Sequence, residues 1–178
     1  MPEAMPSGAA TQPMPDGMPG TGMLRLMLCV RVAHMFFCLD LEHVERVLSL
    51  VMLQPVPQGP DSLAGLMNLH GRNIPVIDLG ARLGLADIPA YTADTPLIIC
   101  KHEGLETGLI VSEVLGIEPI RHEAVQMADE FDQSRTLFLA SVYTSHGLAL
   151  LLDIEQTLEI DWSGLGLAPL PTLPEGAL

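Results

Sequence analysis

Cys100 and His102 stand two residues apart, so a β-strand would carry both on one face. With His122 they offer thiolate and imidazole donors of the kind that hold zinc. Two ligand types at one spacing fall short of a four-ligand set, and ordinary strand residues account for all three; no metal is expected. Asp78 and Asp153 are the best carboxylate pair for acid–base work. Each, however, follows an apolar run and precedes a short amphipathic stretch, which is where a helix N-cap belongs. His102-Glu103-Gly-Leu-Glu106 and His122-Glu123-Ala-Val-Gln126 both miss the second histidine of a zinc-protease helix. The single lysine, Lys101, follows Cys100 rather than a glycine, so there is no phosphate-binding P-loop. Gly164-Leu-Gly166 lacks the third glycine of a dinucleotide site, and no Gly-x-Ser-x-Gly elbow occurs. No catalytic residue and no cofactor is expected.

Composition narrows the partners. The 178 residues carry a net charge of −14, from 8 Lys plus Arg against 22 Asp plus Glu, and aromatics are only 4%. Nucleic acids and anionic membrane surfaces need clustered cations, and single strands need stacking rings, so neither is an expected partner. Hydrophobic residues at 48% supply a core. Three scattered cysteines do not form a disulfide framework, and an odd count suits a reducing cytoplasm. Residues 1–22 contain no Lys or Arg and are filled by Met, Pro and Gly, which reads as a disordered tail rather than a signal peptide. The longest uncharged apolar run, Thr136–Leu152, is interrupted by Thr144-Ser145-His146-Gly147, a turn between two strands; no membrane insertion is expected.

The elements that would position any site are short strands. Leu24, Leu26, Leu28, Val30 and Val32 alternate as in a half-buried strand, with Met35–Leu39 as hairpin partner. Asp40 can cap one helical turn over Leu41–Glu45, and Val47–Val56 reads as a strand running into a loop. Leu66–Leu69 and Asn73–Ile77 flank Gly71, and Leu97–Lys101 and Gly108–Val111 flank Glu103-Gly104. Val114–Ile120 alternates loosely, Met127–Arg135 is polar and loop-like, and Leu137–Tyr143 pairs with Leu148–Leu152. Asp78 and Asp153 precede helices at Leu79–Leu83 and Ile154–Glu159. Gly71–Leu79 resembles Gly147–Ile154, each a glycine, an apolar strand, an aspartate and a short helix. A weaker likeness joins Phe37–Val47 to Gly108–Ile117. Two similar units of about five strands follow. Each needs closure or a neighbour to bury its core, so two small barrels side by side are expected, with one larger β-sandwich as the alternative.

The stretch Gly65-Leu-Met-Asn68-Leu69-His70-Gly71-Arg-Asn-Ile-Pro75-Val-Ile-Asp78-Leu79 resembles the signature of CheW-like chemotaxis coupling proteins, Gly-x-x-Asn-Leu-Arg-Gly-x-x-x-Pro followed by two apolar residues, Asp and Leu. Phe37–Val47, Gly108-Leu-Ile-Val and Leu150-Leu-Leu-Asp153-Ile extend the likeness over about residues 23–160. It implies an all-β fold of two five-stranded SH3-like barrels in tandem with short helices, over residues 23–162, as two intertwined subdomains divided near 86–96, followed by a tail from 163 to 178. It also implies a non-enzymatic adaptor linking the regulatory domain of a CheA-type histidine kinase to the cytoplasmic tips of chemoreceptors. Partner-binding positions carried over by the resemblance are Val44, Arg46, Gly65, Asn68, His70 and Gly71. Two depart from the family pattern: His70 replaces an arginine, and Arg46 replaces an acid that in the family faces that arginine as an exposed ion pair. Ser112 also stands where an aspartate is frequent. These departures favour a dedicated pathway, such as pili or surface sensing, as the alternative to motility. A small-ligand-binding β protein is the reading from a different class.

Overall fold

The computed structural model describes residues 24–127 and 137–161. The expected tails and most of the polar stretch Met127–Arg135 lie outside them. Among the described residues there are eleven strands, two short α-helices and two 3-10 turns. In chain order they are β1 (Leu24–Val32), β2 (Met35–Asp40), β3 (Val44–Ser49), β4 (Leu63–Leu69), β5 (Arg72–Asp78), α1 (Leu79–Arg82), β6 (Pro96–His102), β7 (Leu105–Ile110), β8 (Glu113–Arg121), β9 (Val125–Met127), β10 (Phe138–Thr144), β11 (Gly147–Leu152) and α2 (Ile154–Leu158). The 3-10 turns are Leu41–His43 and His122–Ala124.

Both helices begin as the sequence predicts. The Asp78 carboxylate accepts a hydrogen bond from the Ala81 amide at 3.0 Å, and that of Asp153 accepts one from Gln156 at 3.1 Å. Each satisfies one backbone donor that a helix start leaves orphaned.

The strands form two sheets, ordered β8-β1-β2-β11-β10-β9 and β3-β6-β7-β5-β4. In the first, β8 and β9 are joined by the 3-10 turn His122–Ala124 and flank opposite ends of the order, so the sheet closes on itself. In the second, the chain leaving β3 returns to β4 through paired hydrogen bonds between Gln54 and Leu66, 2.8 and 2.9 Å long. The first is the terminal barrel, drawn from both ends of the described chain; the second, from 44 to 110, is the central barrel.

The stretch 86–96, expected to divide two intertwined subdomains, lies between strands of one sheet. That stretch joins β5 to β6, both in the central barrel. It does separate two sequence repeats, but each repeat lends its leading hairpin to the other's sheet. The hairpin β1–β2 docks through β2 in parallel beside β11, at Leu150–Phe37 and Leu151–Cys38. The hairpin β6–β7 docks through β7 in parallel beside β5, at Val76–Gly108 and Ile77–Leu109. Even the bulges repeat, between Leu63 and Gly65 and between Phe138 and Ala140. Local periodicity locates hairpins but not the distant strands that receive them.

Three cores result. Met27, Cys29, Cys38, Ala140, Val142, Ala149 and Leu151 fill the terminal barrel. Met67, Ile74, Val76, Leu97, Ile99 and Ile110 fill the central one. Between the barrels lies the largest cluster, including Leu28, Val30, Phe37, Leu39, Ile77, Leu79, Ile98, Cys100, Leu109, Leu152 and Ile154. Alternation along a strand explains this: inward residues fill a barrel, and outward ones meet the neighbouring barrel.

Candidate functional site

Every partner-binding residue carried over by the resemblance belongs to the central barrel. β3 runs antiparallel to β6 and starts opposite Cys100, near the turn Glu103-Gly104. β5 and β7 run parallel, so the turn His70-Gly71 before β5 lies at that same end. Val44, Arg46, Asn68, His70 and Gly71 are thus gathered at one rim, and Gly65 sits deeper in the wall.

Their chemistry differs. Gly65 has φ of +149°, and a Cβ there would come within 2.7 Å of the Gln54 carbonyl oxygen. It is therefore the residue that lets the loop after β3 approach β4 and close the barrel. His70 and Gly71 are the two central residues of the β4–β5 hairpin, with φ of +53° and +84°. Two positive φ values make a type I′ turn, whose twist matches the flanking strands. Asn68 fastens the turn: its Oδ1 accepts from the Gly71 amide at 3.1 Å, and its Nδ2 donates to Asn73 at 3.4 Å. His70 itself stays exposed in a conformation that a non-glycine residue adopts at a cost.

On β3, Val44 packs against the inter-barrel core. Arg46 pairs with Ile99 in register, on the side that carries Leu48 into the central core farther along the strand. It is exposed because it stands where the barrel opens to solvent. Glu45 turns instead to Lys101, 3.7 Å away, and Arg72 pairs with Glu106 at 2.5 Å. Among the described residues Arg46 has no ion pair, so in this acidic chain it is a rim cation available to a partner.

Sequence reading passed over the apolar part of this surface. Met52 is 95% exposed, and Val47, Val51 and Leu105 also face solvent. A shallow groove of about 340 Å³ is lined by Met52, Leu53, Gln54, Leu66, Asn68 and Asn73. The run Val47–Val56 lacks strict alternation, so nothing in it distinguished Met52 from a core residue.

The residues weighed for catalysis or metal binding serve other ends. Cys100 is fully buried in the inter-barrel core, and burial pushes its thiol up to about 12. His102 stacks edge-on against His43 with ring centroids 5.6 Å apart, while His122 is exposed in its own 3-10 turn. Cys29 and Cys38 face each other across β1 and β2 with sulfurs 3.7 Å apart, inside the terminal barrel. Among the described residues no helix is long and apolar enough to cross a membrane.

The CheW-like domain family matches residues 26–161. A chemotaxis protein CheW of Thermotoga maritima is 28% identical over 120 residues, covering 67% of this chain and 78% of that protein. One from Rhizobium meliloti is 26% identical over 114 residues, 62% of this chain and 73% of its own length. Among solved structures, the scaffolding protein TtCheW from Thermoanaerobacter tengcongensis superposes with a TM-score of 0.71 at 25% identity, covering 82% of this chain and all of that one. With the family matched from within the first barrel strand to Asp161, three residues past α2, over the two-barrel fold it requires, this chain belongs to the CheW-like family.

Proposed function

We propose that the protein is a non-enzymatic chemotaxis adaptor that couples the regulatory domain of a CheA-type histidine kinase to the cytoplasmic tip of a chemoreceptor. The observation that carries this reading is the match of the CheW-like domain across both barrels. An adaptor works by presenting rigid surfaces. Here hydrogen-bonded turns hold recognition residues on a closed scaffold, as loops on a stable frame commonly do. In this reading Val44, Arg46 and His70 meet the partner, Asn68 and Gly71 fix the turn that presents His70, and Gly65 keeps the wall closed beneath them. Arg46 seeks a partner carboxylate. That reverses the acid usual at this place and supports a second reading, a CheW-like scaffold serving a pilus or surface-sensing pathway with its own receptor.

A binding titration against kinase regulatory-domain and receptor-tip fragments from the same genome tests the proposal. Saturable binding to both is expected. Binding to neither, together with a melting shift by a metabolite, would point to a ligand-binding β protein.

A further inference from the structure

The β1–β2 hairpin carries two thiols where the matching hairpin of the other repeat carries none. Its strands are joined by the two-residue turn Ala33-His34, with Val32 opposite Met35 and Cys29 opposite Cys38. The Ser112 amide donates to the Arg31 carbonyl, so that carbonyl faces β8 and points away from β2. Arg31 and Phe36 are therefore a non-hydrogen-bonded pair, and so, two residues along, are Cys29 and Cys38. At such a pair the Cα atoms stand about 4.5 Å apart, within the span of about 4.4–6.8 Å that a disulfide bridges. The sulfurs are already 3.7 Å apart, so rotation of the side chains brings them to bonding distance without moving the strands.

The repeat shows that the frame does not need sulfur here. Aligned at their turns, Ala33-His34 corresponds to Glu103-Gly104, Cys29 to Ile99 and Cys38 to Gly108. Ile99 and Gly108 are also direct partners, and a Cβ on Gly108 would come within 3.0 Å of Leu97. The central barrel thus fills this place with one large side chain beside a glycine, and the terminal barrel fills it with two facing thiols.

The two sulfurs are not equivalent. The hydrogen bond from Cys38 favours the Cys29 thiolate and holds that thiol below its ordinary range, against burial and the Glu118 carboxylate. The same bond, with burial, holds Cys38 protonated. Cys29 is the nucleophile of the pair and Cys38 the resolving thiol. Both are buried, so only a small reagent reaches them. On the β8 side the partner of Cys29 is Gly116, which places no side chain beside it.

We infer that Cys29 and Cys38 are a reversible redox pair, oxidised by a small hydroperoxide to a disulfide that locks β1 to β2. With hydrogen peroxide, the Cys29 thiolate attacks one oxygen, the O–O bond breaks and hydroxide leaves, which makes a sulfenic acid. The Cys38 sulfur then attacks the sulfenic sulfur. The S–S bond forms, the S–O bond breaks, and the hydroxyl departs as water with the Cys38 proton. In sum, two thiols give up two electrons and two protons, and one peroxide becomes two waters. A reducing dithiol reverses the change by exchange. The bridge fastens the hairpin whose β2 lies beside β11, so it rigidifies the seam of the terminal barrel.

The full chain, reduced and freed of reductant, is treated with hydrogen peroxide in native buffer, then unfolded for thiol titration, intact mass and peptide mapping. The three thiols should fall to one, with loss of two hydrogens, a Cys29–Cys38 cross-linked peptide and full reversal by dithiothreitol. The thiol that remains should be Cys100, buried in the other core. Cys100→Ser should fall from two thiols to none. Cys38→Ala should stop at a Cys29 sulfenic acid that dimedone captures. Three thiols surviving in the folded wild-type chain would overturn the inference. So would a bridge to Cys100, a bridge only between chains, or over-oxidation of Cys29 with no bridge. Should Cys38→Ala not fold, the wild-type peptide map decides the matter.

Discussion

The two barrels share a hydrogen-bonded frame and differ at their rims. By register Leu48 of the central barrel corresponds to Glu118 of the terminal one, and Arg46 to Gly116. The turn His70-Gly71 corresponds to Ser145-His146. In the terminal barrel the Glu118 carboxylate accepts from the Ser145 hydroxyl at 2.5 Å and from the Ser145 amide at 3.0 Å, with His146 at 3.6 Å. These bonds, chiefly from Ser145, hold Glu118 below the usual carboxylate range. That rim satisfies itself. In the central barrel Leu48 has turned into the core, and Arg46 stands roughly 7 Å farther down the strand, facing solvent. Once a repeated frame is paid for by burial, polar rim residues are free either to staple the frame or to recognise another molecule. Here the terminal rim staples its frame, while among the described residues Arg46 on the central rim has no ion pair.

The comparison breaks most completely if the barrels are not one cooperative unit. Phe37 lies fully buried between them. Phe37→Ala should cost about 3–5 kcal/mol and lower a single unfolding transition seen by both far-ultraviolet dichroism and calorimetry. Two separated transitions would show barrels that fold independently.

Next in size is the closure of the central wall. Gly65→Ala forces a methyl against the Gln54 carbonyl and should cost about 1–3 kcal/mol in urea unfolding. The reciprocal Ala140→Gly, at the matching bulge, should cost less, about 0.5–1 kcal/mol. Equal effects would mean that the two bulges are closed in the same way.

The terminal staple comes third. Glu118→Gln should cost about 1 kcal/mol at neutral pH, since the side chain is partly exposed. A carboxylate with a lowered folded pKa stabilises above its unfolded value of about 4.3, and that contribution fades as pH falls through the folded value. The stability gap between wild type and variant should therefore narrow below about pH 4. A gap independent of pH would assign the effect to shape rather than charge.

The smallest effect on stability belongs to the central rim. Arg46→Glu combined with His70→Arg should change unfolding free energy by less than about 0.5 kcal/mol. The same pair should weaken binding to the native receptor tip and strengthen binding to an ordinary chemotaxis receptor, because specificity is a difference between such terms. Two unchanged affinities would remove these residues from the recognition surface.

Much of this was legible beforehand. The hairpins around His70-Gly71 and Glu103-Gly104, the caps at Asp78 and Asp153 and the repeat itself all rest on local chemistry, and the structure holds them within a few residues. The three-residue β9 is too short to carry a period. That the barrels intertwine came only from the family resemblance; which hairpins are exchanged was not legible, because Phe37 and Leu150 look like any apolar strand residues, and only their meeting makes a sheet. At the candidate site, turn residues were legible as turn residues. The exposure of Met52 and the pairing of Glu45 with Lys101 depend on side-chain direction at an irregular strand end, which sequence spacing does not encode.

The exchanged hairpins also order events during synthesis. All strands of the central barrel, 44 to 110, leave the ribosome before β8 begins. The β1–β2 hairpin, made first, must wait about a hundred residues for β11, which at 5–20 residues per second is roughly 5–20 s. Once β8 is made it pairs with β1, but through the whole interval the β2 edge is unpaired, and Phe37 and Leu39 can lie only against the finished central barrel. Nascent chains stalled before β10 should therefore carry the most adhesive surface this protein ever shows, and its yield in cells should follow how fast its last third is translated.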